Sequence, residues 1–169
     1  MLRTVKYEIA PTKATLGRAH GNDWELYSAQ QAIDRDLSTA PATQTDDGAD
    51  WFRLKLKLDR TYFIHEIVIY YRFHTNWYFP KDECFTQFKS CVDSDNNVDV
   101  SVYQGEVKQK SCGTLQLIYA LEQSDQIYTL ACNGQGDIVK LSKATGRITV
   151  FEIVMTRRHI DIRGIIIYT

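Results

Sequence analysis

The carboxylate of Glu152 is the side chain in this sequence that most clearly needs a chemical partner. It lies in an alternating stretch, where a period of two places it on the same strand face as Val150 and Val154. A carboxylate on an apolar face must be paired, must coordinate a metal, or must lie at the rim of the sheet, because burying an uncompensated charge is costly. A salt bridge to Arg35 or Arg147 and simple exposure at the strand end are the alternatives to coordination.

Residues 73–80 form a second candidate site, because they gather aromatic side chains in one predicted loop. Trp77 and its aromatic neighbours could stack on a sugar ring, anchor a protein interface or dip into lipid, and His74 lies in the same loop. The alternative is that the rings fold back over the protein core. Lipid is the least favoured of these ligands, since the formal net charge is −1.

Catalytic motifs are missing from the sequence. It contains no Gly-x-Ser-x-Gly, no glycine-rich phosphate loop and no His-Glu-x-x-His. The Asp46-Asp47 doublet lies in a polar loop, where exposure explains it. With 24% charged residues and no excess of cations, the chain also has no overall basic field for nucleic acid. We therefore expect a binding protein and not an enzyme, although two carboxylates across a glycosidase cleft are a pattern that sequence does not exclude.

The four cysteines allow three pairings, and none shows Cys-x-x-Cys spacing. The most local pairing is Cys84–Cys91 with Cys112–Cys132; the alternative is four reduced, half-buried thiols. Disulfides indicate an oxidising compartment, yet residues 1–8 lack the apolar core of a signal peptide. We therefore expect an extracellular or secreted domain that begins a mature chain or is excised from a larger protein.

Alternating strands dominate the rest of the sequence. In residues 51–59 the apolar side chains alternate with Arg53, Lys55 and Lys57, and residues 63–71 are almost continuously apolar. Residues 28–34 predict a short strand or one helical turn. Further strands are predicted at 97–105, 126–132, 137–142, 147–155 and 164–169, with a reversal at 59–60, a polar loop around 112–114 and a turn at 133–136. About eight strands without a long helix predict one all-β domain over residues 1–169, a two-sheet sandwich or jelly roll.

The order of these signals resembles the galactose-binding-like jelly rolls, which include the fucose-binding F-type lectins and the discoidin (coagulation factor C-type) domains. The matching pieces are residues 32–34, 50–56, 63–69, 97–102, 112–113, 132, 136–139 and 151–154. The spacing from Cys112-Gly113 to Cys132 is closer to the F-type lectins. The resemblance implies an antiparallel jelly-roll β-sandwich that binds ligand with loops at one end.

The resemblance also implies a structural calcium ion. In F-type lectins this ion joins the Ala-x-Asp loop to a glutamate of the last core strand. The matching carboxylates here are Asp34 and Glu152, with Gln31, Asp36 and Phe151 contributing mostly backbone oxygen. Calcium takes six to eight oxygen ligands and accepts such mixtures.

The sugar-binding residues of the family are only partly matched. The family's histidine falls at Gln44, and Arg72 matches the first of two basic residues. The second would be Lys81 or Lys89, and the family's adjacent cysteine pair is absent, with Cys84 and Cys91 apart. The fucose triad is therefore altered, and the sequence does not support fucose as the ligand.

From these residues we expect an extracellular module that recognises a glycan or a cell-surface glycoprotein through loops at one end of a calcium-supported jelly roll. The alternative is a protein–protein adhesion or receptor domain that uses the jelly roll as a scaffold without binding sugar. The candidate ligand-binding residues are Gln44, Arg72, His74, Trp77 and Lys81. Neither reading indicates an oligomeric state.

Overall fold

The fold is built almost entirely from antiparallel strands. The structure is a computed structural model, and it describes residues 3–16, 28–38, 53–72, 90–92, 97–116, 118–120, 125–143, 150–162 and 165–168. The strands are β1 (Arg3–Ile9), β2 (Lys13–Leu16), β3 (Arg53–Arg72), β4 (Ser90–Val92), β5 (Val98–Gln104), β6 (Val107–Leu115), β7 (Ile118–Ala120), β8 (Asp125–Lys143), β9 (Val150–Ile162) and β10 (Ile165–Tyr168). A short 3-10 helix spans Ala29–Ile33, which is the helical alternative predicted for this stretch. Among the described residues no helix is long and apolar enough to cross a membrane.

The strands form one large sheet in the order β1-β9-β3-β8-β5-β6, with β2 added beside β3 and β10 beside β9. β4 and β7 pair with each other separately. Every ladder is antiparallel, so the predicted all-β jelly-roll class is confirmed. The predicted count of about eight strands agrees with the eight-stranded sheet of the described residues, to which the short pair β4 and β7 is additional. β1 and β2 were not among the predicted strands.

Two long strands connect the halves of this sheet. β3 has 20 residues and β8 has 19, and they pair with each other from Arg53 opposite Ser142 to Arg72 opposite Asp125. The first half of β3 also pairs with β2, whereas its second half pairs with β9. β8 is likewise shared, because its second half pairs with β5. The β3–β8 ribbon therefore belongs to both layers of the sandwich.

The predicted reversals at 59–60 and 133–136 are wrong. Both segments lie inside continuous strands, where the register shifts between Lys57 and Tyr62 and again between Ile64 and Glu66. These shifts are irregularities of the bulge type, which bend and twist a ladder without ending it. The polar segment around 112–114, predicted as a loop, is also part of a strand, β6.

Glycine at position 136 allows the bent part of the ribbon to lie close to β5. A Cβ atom added there would lie 2.4 Å from the backbone oxygen of Tyr103 and 2.4 Å from Cγ1 of Val102. The glycines that suggested a turn in the sequence therefore serve a close backbone approach, which is another common reason for glycine within a strand.

Both halves of the ribbon contribute to one hydrophobic core. Leu54, Leu56 and Leu58 from the first half are at most 2% exposed, and Ile67 and Ile69 from the second half are fully buried. Burying each such side chain stabilises the fold by about 1.5–3 kcal/mol. The alternation predicted in residues 51–59 is confirmed over its described part, residues 53–59.

A disulfide joins Cys112 of β6 to Cys132 of β8, with 4.3 Å between their Cα atoms. Both cysteines are buried in the core cluster. This is the predicted Cys112–Cys132 pairing, and it ties an outer strand of the sheet to the central ribbon. Cys84 lies outside the described residues and Cys91 is described only as part of the backbone of β4, so the Cys84–Cys91 pairing stays a prediction.

We predict that Gly136→Ala destabilises the protein by about 3 kcal/mol, because the added methyl group meets a backbone oxygen that cannot move without opening the β5–β8 ladder. Urea denaturation gives the free energy of unfolding. Gly105→Asn is the control: a Cβ at Gly105 meets nothing within 4 Å, and asparagine tolerates its φ of +57°. Equal stability of the Gly136→Ala variant and the parent would contradict the close approach.

Candidate functional site

The candidate site begins with the 3-10 helix Ala29–Ile33, which is held from both sides. The Ser28 hydroxyl accepts a hydrogen bond from the Gln30 backbone N–H at 3.3 Å, which caps the start of the helix. The Gln30 side-chain oxygen accepts a bond from the Ala14 N–H of β2 at 3.4 Å. Ala29 and Ala32 are buried in the core. The helix is therefore a fixed support for the residues that follow it.

The loop after the helix folds through two aspartate turns. Asp34 Oδ1 accepts the Asp36 N–H at 2.8 Å, and Asp36 Oδ1 accepts both the N–H and the hydroxyl of Ser38, at 2.8 and 2.6 Å. The bonds from Ser38 lower the pKa of the Asp36 carboxyl below its ordinary value. Arg35, between the aspartates, has a positive φ of 64°. Side-chain bonds to an N–H two residues on are the usual way in which aspartate shapes a tight turn.

Glu152 reaches this loop because β9 changes face beside it. Tyr71 of β3 pairs with Val150 and Tyr70 pairs with Glu152, so Phe151 has no Cα partner on β3. Beyond this irregularity, Ile153 faces the core and Glu152 does not share its face. The expectation that Glu152 lies on the face of Val150 is therefore wrong. A bulge that redirects a side chain is common next to functional sites.

Glu152 is only 6% exposed, and its Oε2 accepts the Arg35 backbone N–H at 2.7 Å. The Arg35 guanidinium instead pairs with Glu8 on β1 at 2.8 Å, on an exposed surface. The predicted alternative of a salt bridge between Glu152 and Arg35 is thus replaced by a main-chain hydrogen bond. The other alternative partner, Arg147, lies outside the described residues.

The environment raises the pKa of the Glu152 carboxyl above its ordinary value. Burial is the largest cause, the Arg35 N–H opposes it, and the negative charges of Asp34 and Glu8 raise it further. Two other carboxylates therefore disfavour the ionised form of Glu152 at this end of the sheet. A bound cation would relieve this repulsion at Glu152.

Of the predicted calcium ligands, the structure brings Asp34 and Glu152 close to each other. The Asp34 loop lies against Glu152, and the side-chain oxygen of Gln31 is buried without a hydrogen-bond partner. Asp36 directs one carboxylate oxygen to Ser38, and Phe151 is described only as part of the backbone of β9. Within the described ranges no group of three or more His, Cys, Asp or Glu side chains is placed to hold a metal. A cation here would therefore depend on amide and backbone oxygen as well as carboxylate, which Ca²⁺ accepts.

The predicted ligand-binding residues lie mostly outside the described part of the chain. Gln44, His74, Trp77 and Lys81 are outside it, and Arg72 is described only as the last backbone position of β3. That position lies two residues beyond Tyr70, the partner of Glu152. The end of β3 at Arg72 therefore lies at the same end of the sheet as Glu152.

Sequence reasoning missed three residues of this site. Ser38 was signalled by the Asp-x-Asp-x-Ser spacing, since each aspartate is followed two residues on by a bonding partner. Arg35 was considered for its charge, whereas its backbone N–H makes the contact with Glu152. Glu8 had a signal that was not used, because residues 5–9 alternate between apolar and charged side chains as a strand does.

No protein-family model matches the sequence, and no curated protein matches it. Solved structures do match. The family 32 carbohydrate-binding module of NanJ from Clostridium perfringens, in complex with galactose, aligns with a TM-score of 0.59 at 12% identity, over 90% of this chain and 100% of that one. An F5/8 type C domain from Bacteroides fragilis gives 0.53 at 13% identity, over 85% and 89%. The lectin-binding domain of lectinolysin, a His 62 mutant complexed with Lewis b, gives 0.55 at 15%, over 92% and 99%.

These likenesses show the fold, which is the galactose-binding-like jelly roll shared by carbohydrate-binding modules, F5/8 type C domains and lectin domains. Other matching chains are much longer than this one. The chain spans 34% of a truncated AlyQ with CBM32 and alginate lyase domains, and 14% of a family 89 glycoside hydrolase. The placement within the F-type lectins stays a prediction.

We predict that, in metal-free buffer, Glu152→Gln is at least as stable as the parent, because it keeps an oxygen for the Arg35 N–H and removes a charge that burial and neighbouring carboxylates disfavour. Glu152→Leu leaves that N–H unpaired and should unfold about 1–3 kcal/mol more easily than Glu152→Gln. Chemical denaturation with EDTA present measures both variants.

The matched control is Arg35→Ala, which keeps the backbone N–H and removes only the exposed pair with Glu8. We expect it to change stability by less than about 1 kcal/mol. If Glu152→Gln were the less stable of the two Glu152 variants, the assigned hydrogen bond would be wrong.

Proposed function

We propose that this protein is a non-catalytic, extracellular recognition module that binds a glycan or glycoprotein through loops at the Glu152 end of the jelly roll. The observation that carries the proposal is the alignment, over nine-tenths or more of the chain, with a carbohydrate-binding module in complex with galactose and with a lectin domain complexed with Lewis b. Since fold alone does not specify function, the residues of the site must support it as well.

The arrangement of this chain's own residues supports a ligand site at that end. The strand end at Arg72 and the loop at Asp34–Ser38 emerge beside Glu152. The segment that follows Arg72 carries His74, Trp77 and Lys81, which combine an aromatic platform with donors for sugar hydroxyls. Gln44, at the position of the family's histidine, donates and accepts hydrogen bonds without a charge. We infer a specificity different from that of the fucose-binding lectins.

A non-catalytic role is supported by the structures that match over most of their length, which are binding domains. In the longer matching chains a domain of this size forms part of a glycoside hydrolase or a lyase. The module would then hold a larger protein or a cell surface to a glycan. The disulfide between Cys112 and Cys132 supports an extracellular setting, because such bonds persist in oxidising compartments.

We propose further that Ca²⁺ supports the loop. The donors would be the carboxylates of Asp34 and Glu152 and the buried side-chain oxygen of Gln31, with Asp36 and Phe151 contributing backbone oxygen. Two features fit this ion: Gln31 Oε1 is buried without a partner, and the charges of Asp34 and Glu8 destabilise the ionised form of Glu152. A bound Ca²⁺ would supply the positive charge that keeps Glu152 ionised and would fix the loop beside the ligand site.

We predict saturable binding to a subset of glycans on an array that includes galactose-terminated structures and Lewis b. Arg72→Ala should weaken binding by about 10- to 100-fold, because a charged hydrogen bond to a ligand is worth about 1.5–3 kcal/mol. Arg158→Ala is the control, since Arg158 is an exposed cation on β9. Absence of binding across the array, with and without calcium, would reject the glycan function and favour the protein-adhesion alternative.

We predict that Ca²⁺ raises the melting temperature and that EDTA reverses the effect. At a free Ca²⁺ concentration one hundred times the dissociation constant, the gain in stability is about 2.7 kcal/mol. Asp34→Asn combined with Glu152→Gln should abolish it. Asp99→Asn removes an exposed carboxylate that bonds Thr114 on β6 and should leave the calcium response intact. A parent protein whose melting temperature is insensitive to millimolar Ca²⁺ would reject the metal site.

A further inference from the structure

Cations are concentrated on the outer face of β2, β3 and β8. Because Leu54, Leu56 and Leu58 point into the core, Arg53, Lys55 and Lys57 point outward. Across the ladders, Lys13 of β2 lies opposite Lys57, and Lys140 of β8 lies opposite Lys55. We call these five residues the lysine face: Lys13, Arg53, Lys55, Lys57 and Lys140.

Two pairs of like charges are therefore directly opposed on neighbouring strands. Such pairs destabilise a sheet, whereas opposite charges at the same positions would stabilise it. The pair of Lys55 and Lys140 is compensated by one acid, Glu106, whose two oxygens each lie 3.2 Å from one of the ammonium groups. Both lysines lower the pKa of the Glu106 carboxyl. In the described part of the chain, no carboxylate lies within salt-bridge distance of the exposed Lys13 and Lys57.

The inner edge of the lysine face is ordered. The Lys140 ammonium lies 4.1 Å from the ring centre of Tyr103 on β5, a cation–π contact, and its side chain is only 16% exposed. Beside it, Lys55 is 34% exposed. The face therefore consists of two anchored ammonium groups, the exposed Lys13 and Lys57 on the β2 side, and the exposed Arg53. The two anchored side chains lose little freedom when a ligand binds.

We propose that the lysine face is a second binding surface, which takes a carboxylated or sulfated polysaccharide chain. Alternate residues of a strand are about 6.6 Å apart and neighbouring strands about 4.8 Å apart, so the cations form a grid that matches an extended, regularly charged polymer. The exposed members lie on strands within the sheet, which offer no protruding element for a nucleic-acid groove. Ile138, opposite Lys57 on the same face, is only 5% exposed and so is not available for insertion into lipid.

This surface is separate from the loop-end site of the proposed function. The lysine face lies on the first half of β3, whereas Tyr70, the partner of Glu152, lies on the second half. One polysaccharide ligand could thus contact both surfaces, but binding at either surface does not require binding at the other. The overall net charge of −1 gives no indication of this surface. The charges of 20 basic and 21 acidic residues nearly cancel over the whole sequence, but they do not cancel over the lysine face.

The test compares dextran sulfate with unmodified dextran, which share one backbone and differ in charge. We expect binding to dextran sulfate, and to polygalacturonate, that weakens steeply as salt is added, and no binding to dextran. Lys13→Gln combined with Lys57→Gln should weaken binding about fivefold and reduce the salt dependence, since each exposed ionic contact contributes modestly. Galactose should not compete.

The matched control is Lys6→Gln combined with Arg158→Gln, which removes another directly opposed pair of cations, on β1 and β9. Equal loss of binding in this control would reject the lysine face in favour of general charge. Binding to dextran, competition by galactose, or full binding by the Lys13/Lys57 variant would also overturn the proposal. Tighter binding to single-stranded DNA or to anionic lipid vesicles than to dextran sulfate would overturn the choice of polysaccharide. Failure of glycan-array binding would leave this surface unaffected.

Discussion

The antiparallel ladder between β3 and β8 is the interaction on which the rest of the structure depends. The two strands pair with each other along nearly their whole length. On its other edge β3 pairs with β2 in its first half and with β9 in its second half, and β8 pairs with β5 in its second half. One continuous ribbon therefore provides a central pair of strands to both layers. The disulfide from Cys112 to Cys132 secures β6 to this ribbon. Weakening the ribbon would separate the two groups of core residues at once.

Irregularities in the ladders account for both the shape of the sandwich and the position of the site. The shifts between Lys57 and Glu66 bend the ribbon, and glycine at 136 lets it approach β5 closely. A further irregularity at Phe151 turns Glu152 away from the core and towards the Asp34 loop. An irregular pairing thus bends the β3–β8 ribbon in one place and directs the Glu152 carboxylate to a loop in another.

The sequence predicted the strands that can be recognised from the periodicity of their side chains. It predicted little of the structure that depends on how neighbouring strands are paired. Alternation in residues 51–59 identified a half-buried strand, and the most local pairing of the four cysteines included the correct Cys112–Cys132 pair. Glycine and asparagine at 133–136 suggested a turn, but these residues also suit a bulge, and only the partner strand decides between them. Glu152 was recognised as unusual, yet assigned to the wrong face, because a single unpaired residue reverses the alternation. The contact with the Arg35 N–H involves main chain and so leaves no trace in residue type.

The charges of this molecule are distributed less evenly than its composition indicates. At one end, burial and then the negative charges of Asp34 and Glu8 disfavour the ionised form of Glu152 and raise its pKa. On the first half of β3, two lysine pairs repel across neighbouring strands, and one glutamate compensates one of them. Both arrangements reduce the stability of the isolated chain, and each would be relieved by a ligand of the opposite sign. The opposed pair of Lys6 and Arg158 shows that the fold tolerates like charges where a neighbouring acid such as Glu66 compensates one of them, so the uncompensated pair of Lys13 and Lys57 is the place where a polyanion would stabilise the chain most.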